Sequence, residues 1–190
     1  MTSTSQILSV PYALYSERSK SLHKHYIGEF FGGGIIFYVF NDLKGEEHGL
    51  IVSLEDYGTT TSWSNITTTS VGANGNSTWN GINNSNAIIN QNGHVSSAAQ
   101  ICEDLNMGGY SDWYLPSIDE LNLLRNSRYL INKAADLDNN PLTIALNHYD
   151  YYWSSTEALV NTAFLIQFGT GDNHTIGKGA QYRIRAIRQF

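Results

Sequence analysis

Tyr110-Ser111-Asp112-Trp113-Tyr114-Leu115-Pro116-Ser117-Ile118-Asp119-Glu120-Leu121 is the stretch on which the fold class turns. Proline disfavours helical backbone at the residue before it, so Leu115 and the aromatic run upstream read as extended chain. Ser117 followed three residues later by Glu120 is a capping box, and Leu121, Leu123 and Leu124 continue it as a helix.

Working outward, Val95, Ala98, Ala99, Ile101, Cys102 and Leu105 recur at helical spacing and predict a helix over 94–107, closed by Gly108-Gly109. Further upstream, Gly32-Gly33-Gly34 precedes the apolar run Ile35 to Phe40. Asn41-Asp42 and Gly45 make a turn, and 49–54 returns as the second strand of a hairpin. Residues 55–93 are rich in Thr, Asn, Ser and Gly and read as one long ordered loop carrying Trp63 and Trp79. Downstream, 130–147 reads as partly helical. Strands are expected at 151–155, 163–168 and 182–190, with a polar, glycine-rich turn over 169–179. Two central helices flanked by terminal strands that neighbour one another give an α+β fold.

A chain of 190 residues is one domain plus a short appendage. We place the head at 27–190 and a separate N-terminal segment at 1–26, where Ser9, Val10 and Pro11 form a helix-start signal and Ile7, Val10, Leu14 and Tyr15 form an apolar stripe. That stripe is expected to serve docking or oligomerisation. Charged residues are only 15%, against about 25% in ordinary soluble domains, so amides and hydroxyls supply much of the polar surface. A formal charge of −6 argues against nucleic-acid binding, which needs a basic face. The single cysteine, Cys102, excludes an internal disulfide framework. No apolar run is long enough for membrane insertion as a helix, and the N-terminus lacks a signal-peptide pattern.

The opening stretch, Tyr152-Trp153-Ser154-Ser155-Thr156-Glu157 and Arg183-Ile184-Arg185-Ala186-Ile187-Arg188 stand in the order found in the DUF1566 family, as do Gly32-Gly33-Gly34-Ile35-Ile36-Phe37-Tyr38 and His48-Gly49-Leu50-Ile51. From about 28 to 190 the chain resembles that family, which includes the C-terminal domain of the Legionella collagen-like adhesin. The resemblance implies a C-type-lectin-like fold: a terminal-strand hairpin, two helices, and a second small sheet with long polar loops. It also implies a binding head on a bacterial surface or phage-related protein. Leu8-Ser9-Val10-Pro11-Tyr12-Ala13-Leu14-Tyr15 is similar to segments preceding heads of Bacteroidetes fibre-like proteins, which implies a stalk and a homotrimer. Calcium-dependent sugar-binding lectins use a Glu-Pro-Asn or Gln-Pro-Asp loop and a Trp-Asn-Asp element. None of these strings occurs here, so no cofactor is expected, with calcium the one ion left open.

Most chemistry-bearing residues have a structural reading. Trp113 and Trp153 are expected in the core, Asp119 and Glu120 at a helix N-terminus, and the hydroxyls and carboxylate of 154–157 in a turn. Arg183, Arg185 and Arg188 are expected to pair with acidic neighbours, and Cys102 to be buried and inert. No HExxH or other metal motif occurs among the histidines, so no metal site is expected. Recognition is expected from polar loops bearing aromatics: Trp63, Trp79 and Asn80; Tyr149, Asp150 and Tyr151; Asp172, Asn173 and His174. Aromatic faces stack on sugar rings, and amides and carboxylates meet hydroxyls. In the family's fold the last two groups would meet on one side.

The expected function is a non-catalytic receptor-binding head of a trimeric fibre or adhesin, recognising a cell-surface glycan or protein, outside the cell or on an exported phage-like particle. The alternative is a structural tail-fibre or baseplate component, with residues 1–26 as the docking arm. A formylglycine-generating-like enzyme is a lesser alternative, because that chemistry needs paired cysteines.

Overall fold

The computed structural model describes residues 24–190, apart from the side chains of 58–60. The expected stalk stripe of Ile7, Val10, Leu14 and Tyr15 lies outside the described residues. The strands are β1 (Phe30–Phe31), β2 (Gly34–Asn41), β3 (Glu47–Ser53), β4 (Tyr57–Ser62), β5 (Tyr151–Leu159), β6 (Thr162–Gln167), β7 (Asn173–Gly177), β8 (Gln181–Ile184) and β9 (Ile187–Gln189). The helices are α1 (Gly81–Ile89), α2 (Ala98–Glu103), α3 (Ile118–Asn126) and α4 (Arg128–Leu137). One sheet has the order β1-β2-β3-β9 and the other β4-β8-β5-β6-β7, so the architecture is α+β with two sheets.

The expected hairpin forms between β2 and β3, in register from Gly34↔Ser53 to Asn41↔Glu47 with a bulge after Ile36. Both of its faces are buried: Ile36 and Ile51 enter one apolar cluster, while Ile35, Phe37, Leu50 and Val52 enter the other. This two-sided burial explains runs that are continuously apolar rather than alternating. Gly33 takes a positive φ of 85° against Met107 and Gly108, where a Cβ would meet the Met107 carbonyl at 2.5 Å. Packing also extends upstream of residue 27, since the His25 ring centroid lies 4.2 Å from that of Phe31.

Pairing of β3 with β9 brings the chain's two strand regions together, as expected. The C-terminal strand is not continuous, however. β8 belongs to the five-stranded sheet and β9 to the four-stranded one, and Arg185-Ala186 steps between them. Arg185 is fully buried and donates to the Asp56 carboxylate and to the Leu54 and Ile144 carbonyls, which ties the crossing to the segments packed over it.

Among the described residues there are four α-helices: the two expected (α2 and α3), α4 overlapping the stretch read as partly helical, and α1. α1 lies inside the stretch expected as a loop; its sequence, Gly-Ile-Asn-Asn-Ser-Asn-Ala-Ile-Ile, is poor in helix formers and gives no local helix signal. Asn80 caps it by accepting from the Asn83 amide, and Asn84 anchors it by donating to the Ser77 carbonyl at 2.7 Å. α2 is shorter than 94–107 because Ser97 caps it, leaving Val95 exposed before its start. α3 has the expected box, with Ser117 and Glu120 each bonding the other's backbone amide. The polar turn over 169–179 contains β7, an exposed edge strand without apolar alternation. Ser154 to Glu157 lie within β5 rather than in a turn. They are buried, and Ser154 and Thr156 donate from their hydroxyls to the Phe164 and Ser77 carbonyls.

Candidate functional site

The four tryptophans divide sharply: Trp63, Trp113 and Trp153 are buried, whereas Trp79 is 72% exposed. The expectation that Trp63 contacts ligand is therefore corrected. It follows edge strand β4 with its indole turned inward, donating through Nε1 to the Ser154 carbonyl at 2.8 Å. The Lys178 ammonium stands 4.9 Å from its ring centroid, a cation–π contact.

Trp79 leads into α1 and lines a cleft of about 520 Å³ between the β2–β3 hairpin and the N-terminal ends of α1 and α3. Tyr38 and Phe40 of β2, His48 of β3 and Phe190 contribute from the sheet side. Asn80, Asn83, Asp119 and Leu123 contribute from the helical side. Glu120 forms part of the lining and ties the helices together. Its Oε2 accepts from the Gly81 amide at 3.1 Å and the Ser117 amide at 2.8 Å, and its Oε1 accepts from the Tyr114 hydroxyl at 2.9 Å. The Asp119 amide donates to the Thr78 carbonyl at 2.8 Å, closing the same junction. A Cβ on Gly81 would collide with Glu120, Ser117 and Leu115, so this approach requires glycine. Burial pushes the Glu120 carboxyl above its ordinary range, against the lowering effect of its hydrogen bonds.

The other expected loop residues form a second patch. The Tyr151 ring lies 5.4 Å from that of His174 and 5.6 Å from that of Tyr182, so the two loops meet. Tyr149 is 80% exposed beside them, with its ring 4.8 Å from His148. Asp150 accepts from Arg183, whose guanidinium also reaches Asp56 at 3.0 Å. Asp172 and Asn173 are exposed, and Asn173 accepts from Asn122 of α3 at 3.4 Å. The aromatic loop surface is thus divided. Trp79 and Asn80 line the cleft, and Tyr149, Asp150, Tyr151, Asp172, Asn173 and His174 lie around the end of the five-stranded sheet.

The cleft's sheet side was missed in the sequence, although Tyr38 and Phe40 carried a signal. They share a strand face, and the apolar run continues to Phe40, where exposure rises to 43%. Asp119, a first-turn acid of α3, also lines the cleft.

Several other reactive groups among the described residues have structural roles. Arg188 forms a two-point pair with Asp112 at 2.7 and 2.9 Å and stacks 4.0 Å from the Tyr110 ring centroid. Hydrogen bonding to Arg188 holds Asp112 below the usual carboxylate range. Cys102 is buried on α2, where desolvation pushes its thiol far up. Among the described residues, Asp42, Glu46 and His48 place ligand atoms within 4.8 Å of one another. Asp42 there shapes the hairpin turn, its Oδ1 accepting from the Lys44 and Glu46 amides at 2.8 and 2.9 Å.

No curated protein matches this sequence. A crystal structure of a fimbrial protein from Bacteroides ovatus is similar in fold, with a TM-score of 0.57 at 19% identity, over 81% of this chain and 43% of that one. The chain thus spans less than half of that fimbrial protein. The model of the Lcl C-terminal domain matches residues 53–188, more than half of the chain, taking in the α3 capping box, β5 and the Arg185 crossover. The chain belongs to the Lcl C-terminal domain family.

Proposed function

We propose that this protein is a non-catalytic, adhesin-like recognition head that binds a cell-surface glycan or protein through its polar aromatic surfaces. The observation that carries the reading is the exposure of Trp79 and Tyr149 among amide, carboxylate and imidazole groups, on a body whose other tryptophans are sealed inside. Exposed aromatics beside adaptable hydrogen-bonding groups are characteristic of recognition surfaces. Membership of the Lcl C-terminal domain family and similarity to a fimbrial protein agree with a role at a surface. The C-type-lectin-like topology belongs to the same proposal, supported by the β3–β9 pairing and the second sheet with its polar loops. So does a homotrimer joined through residues 1–26, which would present the head outside the cell or on an exported particle.

The test is attachment of the labelled full chain to glycan arrays and whole cells, with and without a calcium chelator. Selective attachment, reduced by Trp79→Ala or by Tyr149→Ala/Tyr151→Ala, supports the reading. Attachment to neither surface by a folded protein of verified oligomeric state overturns it and turns the search to fibre or baseplate partners.

A further inference from the structure

The geometry points to the Trp79 cleft as a subsite for a non-anionic sugar, with the ring seated on Trp79 and its hydroxyls bonded to Asp119. This inference rests on the recognition-head reading and names the ligand class for one of its two patches.

The indole of Trp79 is the platform: it lines the cleft and remains 72% exposed. Phe40 and Tyr38 line the same cleft from the hairpin, giving a second aromatic surface for a pyranose C–H face. The volume of about 520 Å³ falls in the range of small-ligand sites and accommodates a short oligosaccharide end. Asp119 lines the cleft, and its carboxylate oxygens accept no hydrogen bond among the described residues. It is therefore a free acceptor for sugar hydroxyls, and Asn83 lines the same cleft.

Charge selects the class. Asp119 and Glu120 line the cleft, with neither lysine nor arginine among its described lining residues, and its one imidazole, His48, stands 3.8 Å from the Asp42 carboxylate, which already offers it an opposite charge. A sulfate or carboxylate would enter beside these carboxyl groups without a countercharge, whereas a neutral hydroxylated ring would not. The arginines near the C-terminus offer no compensation, because Arg183, Arg185 and Arg188 are engaged by Asp150, Asp56 and Asp112. The helix ends forming one wall are locked through Glu120, so the polar groups are held in place before ligand arrives.

Trp79 is also its own reporter, because the other three tryptophans are buried. The full chain would be titrated with neutral tetrasaccharides of glucose, mannose, galactose and N-acetylglucosamine, and separately with a sulfated heparin tetrasaccharide. The expected result is a saturable emission change and protection from acrylamide quenching by at least one neutral tetrasaccharide, and none by the sulfated one. Asp119→Asn should weaken that binding about tenfold or more, through loss of a charge-assisted acceptor, while melting falls only by the small contribution of a first-turn acid at the start of α3. Calorimetry should detect no binding to Trp79→Ala. Preference for the sulfated probe, or no response to any neutral one, overturns the inference. Cell attachment separates the two levels. If the wild-type chain attaches and Trp79→Ala and Asp119→Asn attach equally, the cleft assignment fails while the head reading stands. If the wild-type chain attaches to nothing, the head reading fails.

Discussion

Lys178 and Glu157 form a buried ion pair, Nζ to Oε1 at 2.5 Å, that anchors the loop running toward Trp79. Lys178 also donates to the Thr69 carbonyl at 3.1 Å, and Glu157 accepts from the Ser70 hydroxyl at 2.6 Å and the Val71 amide at 3.0 Å. A loop rich in serine and threonine, with little apolar area to bury, is held by polar contacts to the core.

Removing one partner leaves the other charge buried without compensation. Lys178→Met is therefore expected to cost about 3–5 kcal/mol, and Lys178→Met/Glu157→Gln less than the sum of the single changes. Urea unfolding of the single and double variants measures both; additive losses would contradict the coupling.

The tryptophans should separate stability from recognition. Trp63→Ala is expected to lose about 3–5 kcal/mol, because it empties a core site and leaves Lys178 without its ring contact. Trp79→Ala should remain within about 0.5 kcal/mol of the parent. Thermal melts of the two variants side by side decide this.

Glu120 predicts a pH dependence of defined sign. Its carboxyl is raised by burial, so the folded state holds the proton more tightly than the unfolded chain. This contribution is fully present below the unfolded value, near 4.5, and is lost as pH rises through the higher folded value. The stability difference between the parent and Glu120→Gln should therefore change in that window and flatten above it. Unfolding curves collected from pH 3 to 8 test the sign.

Arg185 should not tolerate lysine. Its guanidinium reaches Asp56, Leu54 and Ile144 from a fully buried position, a geometry that one ammonium cannot reproduce. Arg185→Lys is expected to cost about 2–3 kcal/mol and loosen the β8–β9 crossing. Amide exchange at Ile184 and Ile187 would register that loosening.

Several elements were legible in the residues themselves because their signals are local. The Ser117–Glu120 box marks the start of α3, and the glycine-bounded apolar runs mark β2 and β3. The pairing of the C-terminal arginines with acidic residues was also legible, since the chain offers few other partners for them. By contrast, α1 and β7 carry polar sequences without a helical or strand period, and neighbouring segments stabilise them. Asn84 reaches Ser77, and β7 pairs along β6.

The binding surface divides along the same line. Composition and loop chemistry by themselves supplied the expectation of a recognition surface built from aromatics on polar loops, and they selected Trp63, Trp79, Tyr149 and Tyr151 for it. Only the tertiary structure decided that Trp63 is sealed inside and that Trp79 shares a cleft with Phe40 of the hairpin and Asp119 of α3. The physical reason is that residue chemistry is a local property. Whether an indole is wall or core depends on which distant strand packs over it, and here that is settled by contacts such as Ser154 with Trp63, ninety-one positions apart.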